Sequence, residues 1–167
     1  MDYEFAGLPL HVLLVHVVIV AVPLLALTLV IAAAWPGARR VLWVPCLIGA
    51  ALVLPATIAT IEAGKWLEAR VPTAPLIQEH TGRGEDLLPW VVGLAAVALA
   101  VASWAVVELT ARRRGRSVGR GAVFGAGAVL TLAALGVGAG ATWTLVQIGE
   151  SGSRAVWEGT FSDEPLE

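Results

Sequence analysis

The sequence contains a single cysteine, Cys46, which excludes an intrachain disulfide, a thiolate metal cluster and a CxxCH haem attachment site. A lone thiol in an apolar helix reads as packing. Charge is scarce too. Of 167 residues, 14% are charged and 57% hydrophobic, far too apolar a balance for a soluble domain of this size. No charged residue lies between Glu4 and Arg39. Asp2 and Glu4 replace the basic start of a cleavable secretory signal, so the first helix is expected to stay in the mature chain. Catalytic signatures are missing: there is no P-loop, no GxSxG elbow, no HExxH, and no GxGxxG following a strand. No internal repeat supports an alternating-access transporter.

What the chain does have is four long apolar segments, read as membrane helices over about 8–34, 41–64, 87–110 and 121–148. The expectation is an all-α integral membrane protein, a single domain over 1–167 built as a four-helix up-down transmembrane bundle. An outer loop spans 65–86 and an outer tail 149–167. Trp35 to Arg40 reads as a short turn stopped by Pro36 and Gly37, with Arg39 and Arg40 as interfacial anchors. The third connection holds Arg112, Arg113, Arg114, Arg116 and Arg120. Seven of the eleven cations thus fall on one side with one acid, Glu108, while four cations and twelve acids fall on the other. The basic loops are therefore expected in the cytoplasm and both termini outside, as for a multi-pass protein of a bacterial inner membrane.

Tryptophans mark the same borders, Trp35, Trp43 and Trp104 at the inner level and Trp66, Trp90 and Trp143 at the outer. Glu108 precedes Arg112 by four residues and reads as the acid of a helical pair. The arginine loop could touch anionic headgroups or an acidic partner, but setting the topology accounts for the same residues. Gly121 and Gly125, then Gly136 and Gly140, form two GxxxG pairs. Small residues let backbones approach, so this helix is expected to pack tightly, on its own bundle or on a membrane partner or second copy. The surrounding lipid bilayer is the other expected partner; nucleic acid is not. The tail from Gly149 to Trp157 reads as a short interfacial turn, and Thr160 to Glu167 as a frayed end.

Ionisable groups inside an apolar run are expensive and mark functional positions. His11 and His16 are such groups. Five residues of helix separate them by ~140° around the axis and ~7.5 Å along it, so they do not share a face. His11 aligns with Val15, Val18 and Val22, and is expected to meet His80 of the outer loop. His16 aligns with Val12, Val20 and Pro23, and is expected to look into the bundle.

Three chemistries fit these residues. A b-type haem needs two axial imidazoles, which His11 or His16 with His80 would supply. A divalent metal would take His11 and His80 with a carboxylate from Glu79, Glu85 or Asp86. In the third, each histidine is neutral and hydrogen-bonded, locking helices together. The leading functional expectation is a non-catalytic accessory, structural or sensory membrane component with a histidine-containing outer face.

The run Gly7-Leu8-Pro9-Leu10-His11-Val12-Leu13-Leu14-Val15-His16 resembles a bacterial membrane family known as domain of unknown function 2231. Further segments similar to it are Ala63 to Glu68, the His80 region with Leu87-Leu88-Pro89-Trp90, and Ile148 to Trp157. The resemblance implies a four-helix inner-membrane protein in which His11, His16 and His80 are family features. It implies no assigned reaction.

Overall fold

The structure, a computed structural model, describes residues 2–162. The chain runs β1 (Glu4–Phe5), β2 (Leu8–Pro9), α1 (Leu10–Ala34), α2 (Pro36–Glu68), α3 (Pro75–Gly84), α4 (Leu87–Arg113) and α5 (Arg120–Trp157). The fold is all-α, and α1, α2, α4 and α5 are each long and apolar enough to cross a membrane. The two strands are a minimal hairpin turned by Ala6 (φ 51°) and Gly7 (φ 78°). Two successive positive φ values are what a tight type I′ turn requires, and Ala6 bears the strain of one. The hairpin delays α1 until Leu10, two residues after the expected start.

α1 and α4 each pack against both α2 and α5, and touch each other only slightly across the middle, so the four long helices form a closed ring. Neighbours run antiparallel. The start of α1 meets the end of α2 where His11 reaches Thr60, and the end of α1 meets the start of α5 where Gly127 lies on the Ala33 carbonyl. The core is filled by Val22, Leu29, Val91, Leu94, Val101 and Cys46. Alanines 26, 32, 33, 98, 134 and 141 and glycines 127 and 138 bring the backbones together. Large apolar side chains also cover the exterior, among them Val20, Leu24, Leu52, Leu99 and Leu132. An outward apolar surface of that extent on all four helices suits hydrocarbon rather than water.

Three boundaries differ from expectation. The turn over 35–40 is a single residue, Trp35. Pro36 takes a first-turn position of α2, where its missing N–H costs nothing, and Gly37 continues the helix. α5 runs on unbroken to Trp157, so the segment from Gly149 is its last turns and not a separate one. The outer loop contains α3, a short helix lying against α5 and α2. Of the expected frayed end, residues 163–167 lie outside the described residues.

The electrostatics of the inner end differ as well. Arg39 is fully buried and pairs with Glu108, Nη2 to Oε1 at 3.0 Å and Nε to Oε2 at 3.3 Å. Its Nη1 donates to the Ala33 and Ala32 carbonyls at 2.7 and 3.3 Å, closing the last turn of α1. Arg39 is therefore no interfacial anchor, and Glu108 is committed across the bundle rather than to Arg112.

The glycines divide likewise. Gly140 receives the ring of Trp90 and Gly138 receives Ala26, whereas Gly121, Gly125 and Gly136 have open space where a side chain would stand. Among the described residues, one of the four glycines in the two GxxxG pairs, Gly140, makes a close contact inside the chain.

Candidate functional site

At the end of the bundle away from Arg39, two histidines meet. The His11 and His80 rings lie edge to face, 6.1 Å between centroids and 75° between planes. His11 comes from the first turn of α1 and His80 from the middle of α3. Glycines make room for both rings. A Cβ on Gly64 of α2 would stand 3.0 Å from His11 Nδ1, and one on Gly152 of α5 would stand 2.9 Å from His80 Cε1. Four helices thus contribute to one pair.

The hydrogen bonds fix which nitrogen carries the proton. His11 Nδ1 lies 3.0 Å from the Thr60 carbonyl oxygen, which only accepts, so Nδ1–H donates. His80 Nδ1 lies 3.1 Å from Ser151 Oγ, and that hydroxyl spends its own proton on the Ile148 carbonyl at 2.9 Å. His80 Nδ1–H is therefore also a donor. With Nδ1 as the donor, an uncharged imidazole at either position carries its lone pair on Nε2, the arrangement that orients a histidine for a ligand at its other nitrogen. The sealed unpaired side-chain nitrogens among the described residues are Trp66 Nε1 and Trp104 Nε1, so neither histidine Nε2 is shut away.

Both rings line a cavity of about 280 Å³ between α1, α2, α3 and α5. Glu68 lines it too, half-buried. The carboxylates expected around a metal are engaged elsewhere: Glu79 pairs with Arg83 at 2.8 Å and Glu85 with Lys65 at 2.7 Å. The Lys65 ammonium holds the Glu85 carboxyl below its usual range. Asp86 is exposed at the start of α4. Among the described residues no three His, Cys, Asp or Glu side chains converge as metal ligands.

His16 stands apart. It is exposed on the outer face of α1, with Nδ1 on the Val12 carbonyl of its own helix at 2.6 Å, and it does not line the cavity. The expected division of α1 into two faces holds, with Val18 and Val22 buried on the His11 side and Val12 and Val20 exposed on the His16 side. Its assignment was reversed for His16, which looks out of the bundle. Of the three histidines, the structure brings the His11 and His80 rings into contact and leaves His16 apart.

Thr60, Gly64, Glu68, Ser151 and Gly152 were not read as site residues. Thr57, Thr60 and Gly64, at i, i+3 and i+7, are a polar and small stripe on an otherwise apolar helix, the pattern that could have found the α2 wall.

α3 is polar, carrying Gln78, Glu79, His80 and Arg83. Burial, and next the neighbouring His11, push His80 below its ordinary pKa of 6.5. The unfolded chain then binds more protons than the native one as pH falls through 6.5, so stability is greatest above that value and declines beneath it. Among the carboxylates and cations of the described residues, Glu68 of α2 is the one that shares the cavity wall with the pair. Unfolding temperature in detergent should drop between pH 7.5 and pH 5.5, roughly one unit either side of the unperturbed histidine value, and His80→Gln should flatten the drop. An equal drop in that variant would assign the pH dependence to another group.

No family model, no curated protein and no solved structure matches this chain.

Proposed function

We propose that this chain is a single-domain, four-helix up-down transmembrane bundle of a bacterial inner membrane, serving as a non-catalytic accessory or sensory component. Its site is the His11–His80 pair at the outer face. The observation that carries this reading is that pair, held by four helices beside an accessible cavity. A change in charge or ligation at either ring acts on the contacts of α1, α2, α3 and α5 together, which is what a sensing site needs. Two residues on one helix would have no such reach.

Charge supports the orientation. Arg40, Arg112, Arg113, Arg114, Arg116 and Arg120 are exposed and without a carboxylate partner among the described residues, because the one nearby acid, Glu108, is taken by Arg39. That end suits the cytoplasmic side, and the acid-rich histidine end the outer side. The test is accessibility. In a Cys46→Ala background, Thr73→Cys in the outer connection should react with a membrane-impermeant maleimide added to intact spheroplasts. Ser117→Cys in the arginine loop should react only after permeabilisation. The opposite pattern would invert the orientation and place the histidines inside.

A further inference from the structure

We propose that the cavity beside His11 and His80 binds an apolar molecule headed by a hydrogen-bond donor, such as a phenol or alcohol hydroxyl. The proposal rests on the reading of the histidine pair as the site and names the chemistry of its ligand. It follows from where the protons in the cavity wall already go.

Six polar side chains line the cavity: His11, Thr57, Thr60, Glu68, His80 and Thr81. Every proton they carry is spent on the protein. Thr57 Oγ1 donates to the Val53 carbonyl at 2.9 Å, Thr60 Oγ1 to Ala56 at 2.7 Å and Thr81 Oγ1 to Ile77 at 2.8 Å. His11 and His80 spend their Nδ1 protons on Thr60 and Ser151. A carboxylate at Glu68 accepts hydrogen bonds and donates none. The side chains therefore offer the cavity lone pairs and no donor, while Val15, Val18, Ile61, Ile77, Leu145 and Ile148 form apolar walls.

A ligand that only accepts, such as an ether or a ketone, finds no side-chain partner here and leaves the imidazole lone pairs unmatched. A ligand that donates satisfies them, and its apolar body takes the walls. A metal ion also seeks lone pairs, but it needs a convergent ligand set, and no three such side chains converge among the described residues. The volume, about 280 Å³, is at the lower edge of the ~300–1,000 Å³ usual for small-molecule sites. A single ring or short chain with one hydroxyl is the scale it suits.

The experiment uses the full chain in lipid nanodiscs, with isotope-labelled histidine nitrogens followed by NMR. The probes are para-cresol and its methyl ether, which keeps the ring and removes the donor. The phenol should shift the Nε2 resonances of His11 and His80 saturably, and the ether should bind on the order of tenfold more weakly. His16, outside the cavity, reports partitioning into lipid and should respond without saturating. Val15→Phe and, separately, Ile77→Phe should remove the saturable response while both rings keep their Nδ1 protons. Equal binding of phenol and ether overturns the proposal and leaves the histidine pair standing. So does Zn²⁺ moving both resonances where the phenol moves neither. An unliganded spectrum with the proton on Nε2 of either ring overturns the pair and the proposal together.

Discussion

Arg39→Ala is expected to cost about 3–5 kcal/mol of stability, the range found when one partner of a buried ion pair is removed. The size follows from what stays behind. Glu108 keeps a carboxylate with 8% of its side chain exposed and loses both of its charged donors. The Ala32 and Ala33 carbonyls, in the last turn of α1, lose the guanidinium that closes them. That cation also sits at the negative end of the α1 dipole, a favourable placement that is lost with it. Lysine would not substitute well, because one ammonium cannot span a bidentate carboxylate and two carbonyls as a planar fork does. Replacing both charges, Arg39→Met with Glu108→Leu, should cost less than the sum of the single changes, since no buried charge is then stranded. Denaturant or thermal unfolding in detergent supplies the numbers. A loss within ~0.5 kcal/mol for Arg39→Ala, as at an ordinary surface position, would mean that the pair is not formed.

That pair also marks the limit of what could be read from the sequence. Four long apolar segments were legible because composition and the spacing of arginines are strong signals, and all four helices are there. The buried arginine was not legible. Glu108 has a local candidate four residues on, Arg112, while its actual partner is 69 residues away, a choice that only tertiary packing makes. Pro36 and Gly37 read as a turn because both residues break helices, yet proline at a first-turn position does not. The histidines were half legible. Helical geometry separated the two faces of α1 correctly and brought His11 to His80. It could not say which face looks inward, because α1 is apolar all round and lipid is as apolar as a core. Ser151 and Gly152 escaped because the helix that carries them was expected to end at 148.

Gly140→Val carries the other large expected effect, and it separates two glycines that the sequence presents as equals. At Gly140 a side chain would enter the Trp90 ring, closer than any real Cβ approaches its neighbours. Trp90 is 38% exposed, so its ring can escape only by leaving the α4–α5 contact and turning outward. Overpacking of this kind costs about 1–3 kcal/mol, occasionally more. Gly136 is one turn away in the same motif, but nothing lies within 4 Å of the position its Cβ would take. Gly136→Ala should therefore be neutral or stabilising by up to ~1 kcal/mol, the difference in helix propensity. The contrast is measured on one protein in one detergent, so effects on the unfolded state common to both largely cancel. If Gly136→Ala instead destabilises, and more so at higher protein concentration, the open glycines face a second subunit and the GxxxG reading returns as an interface between copies. Concentration-independent losses of equal size at both positions would mean that Trp90 does not rest on Gly140.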